Sequence, residues 1–473
     1  MKTLPNLWNS EEAAQATGGK ATTYWNATGV SIDSRTTQTG ELFVAVKGPN
    51  FDGHSFVPEA LKAGAAAAVV NKTLQHVLKG GPGLIVKDTL SALEDLASAA
   101  RQRSDAKITA ITGSVGKTGT KEALAHVLSA KGTVCFSKSN LNNHWGLPLS
   151  LARLTKKADF GVFEIGMNHP GEITPLTSLT KPDIAIITKI AGAHLEFFNS
   201  LEEVARAKAE IFRGLKNGIA IVNFDTEHYD LLFDEALNAG AKKILSFGNN
   251  IDADISVINS SSNIEGSNVE ALWHGQIIKY RIAQPGTHWI ENSLAVLLAA
   301  NSLGIEIQQA ARELSTIPPL RGRGNVHIVQ WGEKSIRVID ESYNANPASM
   351  EAALKTLGDI EPEGGRRIAI LGDMLELGDF SADAHANLKD QIEQYKIDMV
   401  FLAGQEMAAL ASGLPHSRIG KYTVNSESLL PAILSNLQSG DVITIKASNG
   451  IGFSKIVDAI IKPQFSTNSG KAE

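Results

Sequence analysis

The chain has 473 residues, more than one hydrophobic core organises, so two to four domains are expected. Its composition, 43% hydrophobic and 20% charged, is that of a globular protein, and a formal net charge of −6 argues against a nucleic-acid surface or an anionic-membrane surface. A small-molecule substrate is the default, since a local basic pocket can hold phosphates whatever the net charge. Cys135 is the only cysteine, which excludes an internal disulfide and fits a reducing compartment. The opening MKTLPNLWNSEEAAQ carries acidic residues where a secretory signal needs an apolar stretch. No run approaches the roughly 18 apolar residues of a spanning helix, so a cytoplasmic protein with no membrane segment is expected.

Along the chain, short apolar strands alternate with helix-period segments, which predicts an α/β fold with mainly parallel sheets. The first block holds LFVAV (42–46), an Ala-rich stretch (59–70) and LIV (84–86), then the helical SALEDLASAARQR, which dissolves into SDAK (104–107). ITAIT (108–112) opens a longer block with strands in FGVFEIG (160–166), DIAIITK (183–189), GIAIVN (218–223) and KKILSFG (242–248). Residues 251–282 alternate polar and apolar without a helical period and read as a small β excursion. The helical ENSLAVLLAANSLG follows, then IPPL (317–320) and RGRGN, whose two prolines and two glycines mark a hinge. IRVID, RRIAILG, DMVFLAG and DVITIKA then repeat the βα pattern. The expected division is 1–106, 107–317 and 318–463, with a polar, disordered tail at 464–473.

The segment ITAITGSVGKTGTKEALAHVL sets a Gly-rich turn between a buried strand and a helix. Gly113 and Gly116 let backbone N–H groups converge on phosphate oxygens, and the following helix presents its positive end. The cofactor-binding candidates are Gly113, Ser114, Val115, Gly116, Lys117, Thr118 and Gly119. Lys117 would reach the β/γ-phosphates and Thr118 would sit on Mg²⁺. The usual pattern is G-x-x-x-x-G-K-[ST]; here Ile111 takes the place of its first glycine. The agreement of strand, turn, Lys-Thr and helix favours ATP over a ligand-free turn.

Three residues downstream suit a metal centre. Glu164 ends the strand GVFEI, placing a carboxylate at the strand's carboxyl edge, where open α/β sheets bind ligands. A strand-end Glu also serves as a cap or a solvated charge. His194 follows the strand DIAIITK at the same edge, where a structural role is equally available. In LEEVARAKAEIF, Lys208 lies on the apolar stripe of Leu201, Val204, Ile211 and Phe212. An amine there either snorkels to the rim or is buried and neutral. A neutral amine can capture CO₂, and the resulting carbamate is an oxygen ligand suited to Mg²⁺.

These segments, taken in order, resemble the Mur ligase family. They are DSR (33–35), FDGH (51–54), TGSVGKT (112–118), NLNNHWGLPLSL (140–151), FEIGMNHPGEI (163–173), AHLE (193–196) and AKAEIF (207–212), then PGTHWIENSLAV (285–296), GR (322–323), DESYNANPASM (340–350) and LGDMLELG (371–378). Several are weak alone; the ordered set spans nearly the whole chain. SYNANP followed by GDMLELG resembles the members that add D-Ala-D-Ala.

The resemblance implies an N-terminal domain for a UDP-sugar substrate, a central P-loop ATPase domain with a mainly parallel sheet, and a C-terminal Rossmann-like domain closing over both. It implies Lys117 and Thr118 on phosphates and a first Mg²⁺, with Glu164 on that ion. His194 and a carbamylated Lys208 would serve a second ion; His194 precedes Lys208 by the fourteen residues seen in relatives. Asn292 matches an adenine contact in a motif begun by His288, Arg323 a phosphate contact, and Asp340 a carboxylate near the ribose. Ser34, Arg35, Asp52, Gly53 and His54 match the uridine-diphosphate edge; Asn140, Asn142 and Asn143 match a loop facing the muramoyl part. Tyr343, Asn344 and Asn346 would lie near the peptide junction. Two departures stand out: H-N-x-x-N reads His288-Trp289-Ile290-Glu291-Asn292, and K-G-S-R reads Lys446-Ala447-Ser448-Asn449. DSR and FDGH also read as turns in their own right, and Asn346-Pro347 as a helix start.

The implied reaction joins UDP-MurNAc-tripeptide and D-Ala-D-Ala through an acyl phosphate, at the expense of ATP. No residue identifies itself as a base for the amine. Rival readings are the ligase that adds the third amino acid to UDP-MurNAc-dipeptide, a folylpolyglutamate-synthetase-like enzyme, and a non-ligating ATP-binding switch. No nucleic-acid or membrane partner is expected, and a monomer is the default.

Overall fold

The computed structural model describes residues 6–138, 141–192, 195–198, 200–331 and 334–462. Its architecture is the expected α/β one, with three larger sheets in successive stretches of chain and a two-stranded antiparallel pair, Trp8–Asn9 with Asn26–Ala27. The 464–473 tail and His194 and Asn140 lie outside the described residues.

The first sheet holds β1 (Lys20–Ala21), β2 (Gly29–Ser31), β3 (Glu41–Val44), β4 (Ala67–Asn71) and β5 (Gly83–Val86). Their order is β1-β5-β4-β3-β2, parallel except for the β1–β5 pair. The Ala-rich 59–70 stretch divides between a short helix, Val57–Lys62, and β4. Helix α1 (Thr89–Gln102) starts where Asp88 accepts the Ser91 N–H, and its buried stripe of Leu93, Leu96, Ala97 and Ala100 joins the core beneath the sheet.

The central sheet has nine strands: β6 (Lys107–Thr112), β7 (Val134–Phe136), β8 (Phe160–Glu164), β9 (Ile184–Ile187), β10 (Ile219–Asn223), β11 (Lys243–Gly248), β12 (Ile255–Asn263), β13 (Gly266–Trp273) and β14 (Gln276–Ile282). Their order is β14-β13-β12-β11-β10-β9-β6-β8-β7. From β7 to β12 the pairs are parallel; β12, β13 and β14 form an antiparallel extension from the 251–282 stretch. Around the sheet lie α2 (Lys117–Ser129), α3 (Gly146–Ala152), α4 (Leu201–Ala209), α5 (Thr287–Ser302) and α6 (Ile307–Leu314). Helix α5 is buried at almost every position from Trp289 to Ala300, which explains a run that is apolar all round; it packs with α2 on one face of the sheet.

The third sheet holds β15 (Asn325–Trp331), β16 (Lys334–Glu341), β17 (Arg367–Gly372), β18 (Met399–Ala403), β19 (Ile419–Thr423) and β20 (Val442–Lys446) in the order β15-β16-β20-β17-β18-β19. Only the β15–β16 pair is antiparallel. Helix α7 (Pro347–Gly358) begins with a capping box at Asn346 and Ser349, with Pro347 in its first turn.

Side chains tie the parts together. Trp8 Nε1 donates to Ala152 O at 2.9 Å and Arg153 Nε to Val30 O at 2.7 Å, while Phe51 meets Trp145 edge-on with centroids 6.2 Å apart. FDGH thereby touches the NLNNHWG loop. Between the second and third sheets, Gln284 Nε2 donates to Ile317 O at 3.1 Å and Gly322 N to Asp340 Oδ2 at 2.8 Å. Among the described residues no helix is long and apolar enough to cross a membrane.

Candidate active site

One cavity of about 380 Å³ opens where the carboxyl edges of β6 and β8 face those of β16 and β20. The cradle residues Ser114 to Gly119 line it from the central sheet, with Asn142, Glu164, His288 and Asn292. From the third sheet come Arg323, Glu341, Tyr343, Asn344, Asn346, Lys446 and Asn449. The sequence-predicted nucleotide and peptide-junction residues therefore converge, although they lie up to several hundred residues apart in the chain.

The cradle is a turn that only glycine permits at two points. Gly113 has φ +149° and a Cβ there would collide with Thr188 Oγ1; Gly116 has φ +86° and a Cβ would come within 2.5 Å of Asn292 Oδ1. Ser114 N–H donates to Lys189 O at 2.7 Å and its Oγ accepts from Ala191 N at 3.0 Å, which pins the turn against the end of β9. Lys117 Nζ donates to Gly113 O at 2.6 Å, folding over its own loop. Burial lowers the Lys117 pKa; Glu164 opposes the shift and Arg323 reinforces it, which places both charges nearby.

Glu164 is 2% exposed, and both of its oxygens are engaged by neutral donors. Thr118 Oγ1 donates to Oε2 at 2.7 Å and Asn142 Nδ2 to Oε1 at 2.8 Å. The hydroxyl and the carboxylate that the sequence assigned to one metal thus touch, and they are hard oxygen donors of the kind Mg²⁺ takes. Lys208, on α4, is 1% exposed and has no hydrogen-bond or ion-pair partner among the described residues. Burial drives its pKa well below the usual lysine value, and Lys117 pushes it further. At 1% exposure the side chain as a whole is buried, which speaks against snorkelling to the rim. Among the described residues no three His, Cys, Asp or Glu side chains cluster as a metal site.

Across the cavity, the Arg323 guanidinium lies 4.0 Å from the centroid of the Tyr343 ring. Burial raises the Tyr343 pKa, Arg323 opposes that, and Glu164 adds to it, which places that carboxylate nearby. Lys446 is buried; its Nζ donates to Asn344 O at 2.8 Å and lies 3.7 Å from Glu341 Oε2. Burial lowers its pKa against the pull of Glu341. Ser448 Oγ accepts from Leu375 N at 3.0 Å and donates to Ala345 O at 3.3 Å, bracing the NANP loop against GDMLELG.

Several sequence candidates have internal work. Asp340 is buried, and its carboxylate accepts from Gly322 N, Ser342 N and Ser342 Oγ; it shapes the hinge, while its neighbour Glu341 lines the cavity. Asn346 caps α7, and Asn143 Oδ1 accepts from Gly146 N at 2.9 Å. Ser34, Arg35, Asp52, Gly53 and His54 do not line this cavity. Arg35, with its side chain 83% exposed, forks onto Asp33 at 2.9 and 2.7 Å; that bond is the main cause holding the Asp33 carboxyl below its usual value. His54 is buried between Asp52 Oδ1 (2.6 Å) and Asn71 N (2.9 Å).

Sequence reasoning missed Glu341, Trp289, Lys189 with its partner Glu291 at 3.2 Å, and Lys121. Trp289 was noted only as a departure. Its buried indole packs on α2, where a Cβ on Gly119 would meet it at 3.3 Å, and its Nε1 has no partner among the described residues.

A P-loop strand and helix feeding a nucleotide cradle, faced by a second α/β sheet across one cleft, define an ATP-using α/β enzyme of several domains. The family descriptions that match are "Mur ligase family, catalytic domain" over residues 26–101, "Mur ligase middle domain" over 111–300 and "Mur ligase, glutamate ligase domain" over 326–449. The chain belongs to the Mur ligase family. Among its relatives, the UDP-N-acetylmuramoyl-tripeptide–D-alanyl-D-alanine ligase of Rickettsia prowazekii is 36% identical, over 96% of this chain and 99% of that protein. The enzyme of the same name from Escherichia coli is 35% identical over 91% and 93%. The crystal structure of MurF from Acinetobacter baumannii superposes with a TM-score of 0.84 at 28% identity, covering 97% and 99% of the two chains. That of MurF ligase from Thermotoga maritima in complex with ADP does so at 0.75 and 26%, covering 91% and 96%.

Proposed function

We propose that this chain joins D-alanyl-D-alanine to UDP-N-acetylmuramoyl-tripeptide at the expense of ATP, giving the UDP-MurNAc-pentapeptide precursor of peptidoglycan. The observation that carries the reading is the shared cavity, in which the ATP cradle of the central sheet faces the SYNANP loop, Lys446 and Asn449. The full-length relatives named for this activity support it over the dipeptide ligase, the folylpolyglutamate-synthetase-like enzyme and the switch.

The tripeptide's terminal carboxylate oxygen attacks the γ-phosphorus of ATP; the O–P bond forms as the bond to the β–γ bridging oxygen breaks, and ADP leaves. The uncharged amine of D-Ala-D-Ala then attacks the acyl carbon. The C–N bond forms, the C–O bond to phosphate breaks, and the ammonium proton leaves to solvent or phosphate. Lys117, the amides of residues 113–119 and Arg323 hold the phosphates while charge collects between the reacting oxygens. Asn292 and His288 flank the nucleotide beside Gly116, with Asp340 fixing the hinge behind Arg323. Tyr343, Asn344 and Asn346 position the incoming peptide. Much of the acceleration is alignment, worth roughly 7–11 kcal/mol for well-oriented reactants.

Thr118 and Glu164 suit one Mg²⁺, and Lys208 with His194 a second; these ions would neutralise charge on the phosphates. Burial pushes the Lys208 amine toward its neutral form, the form that attacks CO₂ to give a carbamate and release a proton. A carbonyl resonance from ¹³C-bicarbonate, present in the native chain and absent in Lys208→Met, tests this. We assign the UDP-sugar to residues 1–106 (Ser34, Arg35, Asp52 and Gly53, with His54 bracing Asp52 from behind, and with Asn140, Asn142 and Asn143 at the muramoyl side), ATP to 107–317 and closure to 318–463. The chain acts in the cytoplasm as a monomer.

The experiment is phosphate release with ATP, Mg²⁺, UDP-MurNAc-tripeptide and D-Ala-D-Ala, omitting one at a time. Release that needs all of them, with a pentapeptide product by mass, is expected. Turnover with UDP-MurNAc-dipeptide and a free diamino acid instead would overturn the reading.

A further inference from the structure

Lys121 lies one helical turn beyond Thr118 on α2, and its side chain is 0% exposed. A buried ammonium is expensive unless its N–H groups find acceptors. Here Nζ donates to the Ser137 carbonyl at 2.6 Å and pairs with Glu122 Oε1 at 2.8 Å. Ser137 is in turn fastened to β8: its N–H donates to Val162 O at 3.2 Å and its Oγ accepts from Glu164 N at 3.4 Å. Five residues on, Asn142 receives Gly166 N on its carbonyl at 2.8 Å and gives its Nδ2–H to Glu164 Oε1 at 2.8 Å. The other oxygen of Glu164 accepts from Thr118 Oγ1. The contacts close a ring that runs from α2 through Lys121 to Ser137, from Ser137 Oγ to Glu164, and back through Thr118 to α2. Thr118 and Lys121, three residues apart, stand on one side of that helix and grip the two ends of the ring.

We propose that Lys121 is a positioning residue for the metal–nucleotide step: it holds Ser137 against β8, and Ser137 holds Glu164 so that its carboxylate meets Thr118. The inference rests on the reading of Thr118 and Glu164 as the Mg²⁺ side of the ATP site. Lys121 touches no substrate; it acts through the loop. A lysine that served only to stabilise the fold would leave metal and nucleotide affinity alone once the protein is folded.

The test is calorimetric ADP binding with and without Mg²⁺, below each variant's unfolding temperature. Lys121→Met is expected to lose about tenfold or more of the Mg²⁺-dependent gain in ADP affinity, the scale of an outer-shell partner, while metal-free ADP binding stays within about twofold. Lys121→Arg, which keeps the charge and the donors, recovers part of the gain. Ser137→Ala covers the case in which Lys121→Met does not fold: it removes the hydroxyl that receives the Glu164 N–H and loses the gain with Lys121 in place. A full gain in folded Lys121→Met, or in Ser137→Ala, overturns the proposal. Glu164→Gln separates the two layers. If it keeps the gain, the metal reading of Glu164 falls; if it loses the gain while Lys121→Met and Ser137→Ala keep it, only the positioning role falls.

Discussion

Two helices of the central domain each bury a lysine, and the two regions treat the amine in opposite ways. On α2, Lys121 is enclosed with acceptors: a loop carbonyl at 2.6 Å and a carboxylate at 2.8 Å. On α4, Lys208 is as deeply enclosed but has no partner among the described residues, and burial together with Lys117 drives its pKa far down. Depth of burial therefore says little about what an amine is for. A satisfied ammonium is a clamp. An amine left without acceptors is either a defect or a nucleophile, and at the edge of a nucleotide cleft the second reading has chemistry to support it.

Substitution by Met should separate the regions most sharply in kinetics. Lys208→Met removes a proposed metal ligand, so kcat falls by on the order of 10²-fold or more, since losing even a supporting partner of a metal site costs 10–100-fold. Denaturant midpoints should hold or rise, because the variant discards an unpartnered buried amine. Lys121→Met should instead lower stability by about 1–3 kcal/mol, because the Ser137 carbonyl is left buried without its donor. A stability loss at 208 as large as that at 121 would erase the distinction.

The pH dependence sharpens it next. Lys208 titrates lower in the folded chain than its ordinary value of 10.5, so below 10.5 the unfolded chain binds a proton that the folded chain refuses. Native stability must then fall as pH is lowered through that window, until the folded amine itself takes up the proton. In CO₂-free buffer, the stability advantage of Lys208→Met over the native chain should widen from pH 10 to pH 7, as read by scanning calorimetry. A constant difference would show that the amine stays charged in the fold.

The contrast also explains what was legible in the sequence. Strand and helix periods and the Gly-rich turn are local patterns, and the three larger sheets form from the strands those patterns predict. Glu164 and Thr118 could be named because each sits at a fixed offset from a strand end, and the structure brings them to 2.7 Å. What cannot be read locally is who a side chain meets across the fold. Nothing in the local pattern marks Lys121, and its acceptor lies sixteen residues away, just past β7. Asp340 and Glu341 are adjacent, and only the hinge geometry decides that the first is consumed by Gly322 and Ser342 while the second faces the cleft.

A smaller effect is expected at Arg323, where the guanidinium lies over Tyr343 at 4.0 Å. Lysine keeps the charge but loses the flat stack and the forked donors. A charge-assisted hydrogen bond is worth about 1.5–3 kcal/mol, so Arg323→Lys should raise KM for ATP by about tenfold or more with the melting temperature unchanged. Unaltered KM would place the phosphates out of its reach.

The smallest kinetic effect falls at His54, which extends the accounting of acceptors from amines to a ring. The FDGH motif invites a substrate role for it, yet both ring nitrogens are used inside the N-terminal domain. Because Nε2 accepts the Asn71 N–H, the ring proton sits on Nδ1, facing Asp52. Burial alone would raise the Asp52 carboxyl, but the backbone and side-chain bonds from His54 outweigh it and hold it low, so the pair is settled without any ligand. His54→Phe leaves the Asn71 N–H without its acceptor and Asp52 without its ring donor, and should lower stability by about 1–3 kcal/mol. For the folded fraction, KM for the UDP-linked substrate should move by no more than a few-fold; the side chain has no free polar atom to offer. A KM increase of a hundredfold with stability intact would mean that the substrate displaces Asn71 or Asp52 from the ring, and that a residue with every partner taken in the empty chain is still a ligand in the occupied one.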